Sequence, residues 1–236
     1  MLPRWPSWLS QSKIPSQCLA CHAWPCADVL CHHCWQTFHH HPWRCTGCAL
    51  SLPGLNAARP RCGQCMRHPP IWEQCHAWTT YAYPWSQLLA RWKFGQQPGL
   101  ARHFARWMQQ SPAVITALEH AQVVIAVPLS AQRMRERGYN PAAQMAQMLA
   151  PRKNLVAVLV RQRHTAPQSH LTRAQRLRNV RAAFSVPSHQ QAPISQRRVL
   201  LIDDVMTTGA TLHAATRCLL KAGAASVQVL CVARTP

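Results

Sequence analysis

The chain has very few acids. Only six of its 236 residues are Asp or Glu, against 26 Lys and Arg, for a formal charge of +20 with histidine neutral. So one-sided a charge implies a polyanionic partner, or at least a strong field for anions. Long apolar runs are missing too. No stretch approaches the length of a membrane span, so no transmembrane helix is expected. Residues 1–17 carry Trp5, Trp8 and prolines but no continuous apolar segment, so no secretory signal is expected. A cytoplasmic setting follows, in which the spacing of the twelve cysteines favours metal over disulfides. The length suffices for one α/β core and a smaller module.

Two of the six acids are adjacent, in the stretch VLLIDDVMTTGAT at residues 199–211. Val199 to Ile202 predict a buried strand of a parallel sheet. Asp203 and Asp204 follow, then a short loop of small and hydroxylic residues. Leu212, Ala215, Leu219 and Leu220 then recur at helical spacing. A strand, a tight loop and a helix start together build an anion site, because loop amides and the first free N–H groups converge under the helix dipole. Gly209 lets the backbone approach without a Cβ in the way. Carboxylates at the carboxyl end of a strand lie where open α/β sheets bind ligands. A capped helix with two solvated acids is the plain alternative, and the rarity of acids argues against it.

The stretch resembles the phosphoribosyl-pyrophosphate (PRPP) loop of type I phosphoribosyltransferases. That resemblance implies a parallel sheet flanked by helices. Asp203 and Asp204 would hold the ribose hydroxyls, and Val205, Met206, Thr207, Thr208, Gly209, Ala210 and Thr211 would form the loop around the 5′-phosphate. Mg²⁺ would bridge pyrophosphate and ribose oxygens, taking most of its ligands from substrate and water.

A different chemistry occupies the amino-terminal part. Four Cys-x-x-Cys pairs, Cys18/Cys21, Cys31/Cys34, Cys45/Cys48 and Cys62/Cys65, lie within 48 residues. Each pair supplies half of a tetrahedral thiolate shell, so four pairs make two closed structural zinc sites. Sequential pairing is the simplest partition; an interleaved one stays open. Cys26, Cys75, His22, His32, His33, His39, His40 and His41 are left over, the histidines read as solvated. So short a module cannot hold a fold by apolar burial alone, and metal supplies the folding energy. Two such sites, about −2 each, lower the net charge to roughly +16. Trp24, Trp35, Trp43, Trp72 and Trp78 fall in or beside this region. Exposed, they would stack on single-stranded bases; buried, they thicken a thin core, the reading their area favours. The expected organisation is a flexible segment at 1–17, a double zinc ribbon at 18–78 and an α/β domain at 79–236.

Helices are expected at Trp85, Leu88, Leu89 and Trp92 and again at Leu100, Phe104 and Trp107. Lys93 near the end of the first suits the dipole there, and it can also reach an anionic ligand. VVIAVPL at 123–129 predicts a strand. The following turn at Ser130, with Arg133 and Arg137, suits a pyrophosphate, which accepts bidentate hydrogen bonds. Further strands are expected at 155–160 and 226–232. Between them, residues 161–181 carry Arg161, Arg163, Arg173, Arg176, Arg178 and Arg181 without an acid, which reads as a basic flap closing on a polyanion.

Taken together the chain resembles the ComF family, its GntX-like members in particular, from Cys18 onward. The resemblance rests on the paired Cys-x-x-Cys ribbons, Arg137-Gly138-Tyr139-Asn140, the residues Thr165, Gln168, Leu171, Arg176 and Asn179, and the loop from Asp203 to Thr211. Where the family shows Gln after the Arg-Gly-Tyr-Asn segment, this chain has Pro141. The family implies a phosphoribosyltransferase-like domain behind a double zinc ribbon, with a role in DNA uptake or in use of external DNA as a nutrient. Three functions follow: a PRPP-dependent pentosyl transferase or hydrolase, a non-catalytic handler of single-stranded DNA beside an uptake helicase or translocation machinery, and a PRPP-sensing regulator. Residues 205–211 contain no carboxylate or His to serve as general base.

Overall fold

The computed structural model describes residues 16–40, 42–52, 61–161 and 183–236. Most of the expected amino-terminal segment, His41 and the basic stretch from 162 to 182, with Arg176, lie outside the described residues. The chain divides into two compact units, Met1–His40 and His41–Pro236. The first cysteine group belongs to one unit, and the second shares its unit with the sheet.

In the first unit, helix α1 (His32–Phe38) follows Cys31, whose sulfur accepts from the Cys34 amide at 3.5 Å. Its buried residues are Cys18, Ala20, Cys26, Leu30 and Cys34. Thiols therefore stand where a larger domain would place aliphatic side chains. His22, His32, His33 and His40 are exposed.

The larger unit begins with the second cysteine group and helix α2 (Gly63–Arg67). Its sheet has four parallel strands in the order β1-β6-β5-β2, namely Cys75–Thr80, Ser226–Arg234, Arg198–Met206 and Val123–Ala126. Strands β5 and β6 are apolar on both faces because helices cover both. Helix α7 (Pro141–Leu149) packs on β2 and β5, and α4 (Leu100–Met108) packs on α7. Helix α5 (Pro112–His120) lies against β1, and the helix after the loop, α8 (Ala210–Lys221), lies against β5 and β6. Helix α3 (Trp85–Phe94) buries Trp85, Leu88, Leu89 and Trp92, the residues whose spacing predicts it.

Some elements differ from expectation. Strand β1 begins inside the stretch read as ribbon, at Cys75, and ends beyond it, at Thr80. Trp78 on it is buried against Trp85 and Trp107, with ring centroids at 4.8 and 5.8 Å. Trp72 is also buried, whereas Trp24 and Trp43 are about two-thirds exposed, at 65% and 66%. The expected strand at 155–160 is mostly a bend. Asn154 bridges to Val124, the chain then turns away, and only Val160–Arg161 forms a strand, β3, antiparallel to β4 (Phe184–Ser185). Val156 is 77% exposed, so the apolar run has no sheet to occupy along its whole length. The arginines after Ser130 lie on a short helix, α6 (Ala131–Arg137), rather than in a loop. No helix among the described residues is long and apolar enough to cross a membrane.

Candidate functional site

The register of β2 on β5 opens the site. Pairing stops at Ala126 opposite Ile202, while β5 continues beside β6 as far as Met206 opposite Arg234. Asp203 and Asp204 therefore stand on a strand whose β2 side is no longer covered, at the carboxyl end of the sheet. A cleft of about 510 Å³ lies there, lined by Tyr81, Lys93, Phe94, Pro128, Arg133, Arg137, Arg161, both aspartates, Thr207, Thr208 and Thr211 among others. Four cations face two carboxylates.

The loop after β5 is shaped by Gly209, which takes a left-handed φ of 74° and starts α8 with no side-chain cap. The left-handed conformation calls for glycine, and a Cβ there would also lie 2.7 Å from Met206 Cε, the flexible end of that side chain. Thr207, Thr208 and Thr211 line the cleft together with Val205, while Met206 and Gly209 are buried and Ala210 is half-buried outside the lining. The Ala210 amide donates to Thr208 Oγ1 at 3.4 Å.

The two aspartates differ in environment. Asp204 accepts from Lys93 Nζ at 2.8 Å and faces Arg137 Nη1 at 3.8 Å. Its Oδ1 also accepts from the Val205 amide at 2.5 Å. Asp203 accepts only the Asp204 amide, at 2.8 Å, among the hydrogen bonds of the described residues. Burial, then the neighbouring Asp204 charge, pushes its carboxyl up from 3.8 to about 7, against the pull of Lys93 and Arg161. Between about pH 4 and 7 the folded chain thus holds a proton that the unfolded chain has released. The stability this confers is lost as pH rises through that window. Thermal melting at a series of pH values is expected to show a fall in wild type that is flattened in Asp203→Asn. Equal slopes in the two chains would contradict the assignment.

The Arg-Gly-Tyr-Asn segment forms the corner that aims Arg137. Gly138 ends α6 at a φ of 75°, and Asn140 caps α7 through its bond from the Ala142 amide at 3.0 Å. Asn140 Nδ2 also donates to Val127 O at 2.9 Å, tying the corner to the end of β2. The Tyr139 hydroxyl donates to the Trp92 carbonyl, next to Lys93. Arg137 is left stacked over Phe94, 4.6 Å from its ring centroid. Pro141 sits in the first turn of α7, where its missing N–H has no helical partner to lose. Ser130 does not line the cleft: it is buried, and its hydroxyl caps α6 by accepting from the Arg133 amide at 3.3 Å. Arg161 does line it, and burial lowers its pKa, with the Arg133 charge adding to the shift.

Lys93, which the sequence offers as a helix-end cation able to reach an anionic ligand, lines the cleft, and so do Tyr81 and Phe94, for which the sequence carries no such signal. Tyr81 follows β1, where its amide donates to the Arg234 carbonyl of β6 at 2.8 Å, and Phe94 ends α3 next to Lys93, which pairs with Asp204.

Each cysteine group closes in sequence order. The sulfurs of Cys18, Cys21, Cys31 and Cys34 lie within 4.8 Å of one another, as do those of Cys45, Cys48, Cys62 and Cys65. The Cys21–Cys31 and Cys48–Cys62 sulfur separations are both 3.7 Å. A tetrahedron with zinc–sulfur bonds of about 2.3 Å has an edge of about 3.8 Å. In both groups the leading sulfur accepts an amide from the third cysteine, Cys31 to Cys18 at 3.3 Å and Cys62 to Cys45 at 3.2 Å. Burial opposes ionisation of Cys18 and Cys45, but these and neighbouring N–H groups overcome it and lower them to about 6 and 7. Burial and the crowded sulfurs push Cys34 and Cys65 the other way. Four thiols whose charges oppose one another suit a divalent cation, and both sets can hold zinc.

Residues 96–236 match the family model described as the phosphoribosyl transferase domain. The chain is 34% identical over 190 residues to the DNA utilization protein YhgH of Salmonella typhimurium, covering 77% of this chain and 82% of that protein. It is 34% identical over 212 residues to Competence protein F of Haemophilus influenzae, covering 87% and 90%. This chain belongs to the ComF family of phosphoribosyl transferase domain proteins. A more distant ComF relative, Competence protein ComFC of Bacillus subtilis, is 28% identical over 209 residues, 81% of this chain and 84% of that one. A solved structure, that of "the allosteric regulatory enzyme of purine biosynthesis", resembles 56% of the chain at 24% identity with a TM-score of 0.36, and the chain spans 25% of it.

Proposed function

We propose that the cleft binds PRPP or a related ribose phosphate and carries out or senses pentosyl transfer in the use of DNA taken up from outside. The observation that carries this reading is the shared cleft: a carboxylate pair on β5, an uncapped helix start behind a threonine loop, and four cations opposite. Asp203 and Asp204 suit a vicinal diol, which donates two hydrogen bonds. Thr207, Thr208 and Thr211 suit the terminal phosphate together with the first-turn N–H groups of α8, of which that of Ala210 donates to Thr208 Oγ1. Lys93, Arg133, Arg137 and Arg161 suit a diphosphate, whose charge competes with Asp204 for Lys93 and Arg137. A Mg²⁺ ion bound with the ligand would offset the diphosphate charge as the leaving group departs. Asp203 lines the cleft with its carboxyl raised to about 7, and no histidine is among the described lining residues, so charge stabilisation and positioning would supply most of the rate.

Calorimetric titration of the full chain with Mg–PRPP, ribose 5-phosphate and pyrophosphate tests this. PRPP is expected to bind more tightly than either fragment, because it fills both ends of the cleft. Absence of heat with all three overturns the reading.

A second reading has its own observation, the charge of +20. Single-stranded DNA, delivered by an uptake machinery, would place phosphates among the same cations. Four phosphate contacts predict a log–log salt slope of about −3 for a single strand. Anisotropy of a labelled oligonucleotide across a salt series measures it, and a flat response removes DNA as a direct ligand.

A further inference from the structure

We propose that the second cysteine tetrad positions the phosphate loop, so that metal held by Cys45, Cys48, Cys62 and Cys65 is required for residues 207–211 to keep their shape. Two routes connect them, the first buried and the second partly buried. In the first, the carbonyl of Gly47, between Cys45 and Cys48, accepts from Trp72 Nε1 at 2.6 Å. The Trp72 ring then lies against Gly209: a Cβ there would be 3.4 Å from Trp72 Cη2. The same ring meets His213 of α8 edge-on, with centroids 6.2 Å apart.

In the second route the carbonyl of Cys48 accepts from Arg234 Nε at 3.0 Å. Arg234 Nη1 reaches the Met206 carbonyl at 3.5 Å, and the Thr235 amide donates to that carbonyl at 3.0 Å. Cys75 reinforces it, its amide donating to Thr46 O at 2.8 Å and its sulfur lying 3.5 Å from Met206 Sδ. Both routes end at the residues that bracket Thr207 and Thr208, namely Met206 and Gly209.

The turn from Cys45 to Cys48 packs closely on the tetrad. A Cβ on Gly47 would fall 2.9 Å from Cys65 Sγ, so its backbone rests directly on a ligand sulfur. Released thiols move apart, and the Gly47 and Cys48 carbonyls move with them. The functional consequence rests on the loop being the anion site proposed above; the coupling itself does not. Trp72 and Arg234 are positioning residues, as neither lines the cleft. The first tetrad belongs to the other compact unit and serves as the control.

The test is hydrogen exchange on the zinc-loaded full chain in wild type, Trp72→Phe, Cys62→Ser/Cys65→Ser and Cys18→Ser/Cys21→Ser. Phenylalanine keeps a ring against Gly209 and removes the N–H that grips Gly47. Loss of that bond is expected to speed exchange of amides 207–213 about tenfold. The Cys62/Cys65 chain should show at least as much, the Cys18/Cys21 chain none, and amides of β2 should be unchanged in Trp72→Phe. Loop exchange at the wild-type rate in Trp72→Phe overturns the proposal, as does acceleration that extends equally to β2. Should the Cys62/Cys65 chain lose protection throughout, Trp72→Phe alone decides.

Titration of the same chains with ribose 5-phosphate separates the two claims. A loop that responds in a chain that binds no ribose 5-phosphate leaves the coupling standing and the ligand reading refuted. Binding with an unresponsive loop does the reverse.

Discussion

A chain carrying Asp203→Asn and Asp204→Asn together is expected to bind Mg–PRPP at least about 100-fold more weakly than wild type. Each charged acceptor removed from a buried hydrogen bond costs on the order of 1.5–3 kcal/mol, and two such losses reach that factor. The substitutions keep shape and volume, so the loss reports charge rather than packing. Inorganic pyrophosphate supplies the internal control. With Asp204 neutral, Lys93 at 2.8 Å and Arg137 at 3.8 Å lose their anionic partner, and pyrophosphate affinity should hold or rise. The single variants should part in stability above pH 7. Asp203→Asn relieves a buried like-charge contact, whereas Asp204→Asn strands two cations. Calorimetry showing PRPP bound equally by the double variant would remove the sugar from the carboxylates.

Stripping metal from the whole chain with a strong chelator is expected to unfold residues 16–40 outright while β5 and β6 stay protected. Three of the five buried residues among those described in that unit are cysteines, and two of those three belong to the tetrad, so little apolar core remains among them once the thiols are released. Structural zinc contributes about 10–16 kcal/mol of apparent binding energy in small zinc-folded peptides, far more than this unit can gain by burial. The sheet is different, since Val229, Leu230, Val232, Leu200, Leu201 and Ile202 are fully enclosed without any metal. Hydrogen exchange before and after chelation, with released zinc counted by a colorimetric reagent, checks both parts. Unchanged protection across 16–40 would show that the thiols are not the core of that unit. A release other than about two ions per chain would contradict the two-site assignment.

The readings that held depend on neighbours along the chain. The strand, acid pair, glycine turn and helix from Arg198 to Lys221 are consecutive, so periodicity and turn chemistry expose them. Each cysteine tetrad spans only 17 to 21 residues, and sequential closure brings the four sulfurs together with little loop to order. The readings that shifted depend on partners far away. Strand β1 is a strand because β6, some 150 residues later, lies beside it. The run at 155–160 fails to be one because the sheet edge is met at Asn154 alone.

By itself, then, the sequence determined the chemistry on offer: an acid pair before a loop of small and hydroxylic residues, eight cysteines in four Cys-x-x-Cys pairs, and an excess of cations. Local spacing and residue type suffice for each. Only the tertiary structure decided that Lys93 and Arg137 grip Asp204, that Asp203 is left with a raised pKa, and that Trp72 and Arg234 join the second tetrad to Met206 and Gly209. Those contacts cross up to 186 residues of chain, and their strength comes from exclusion of water at the junction of knuckle, sheet and loop, which no local pattern records.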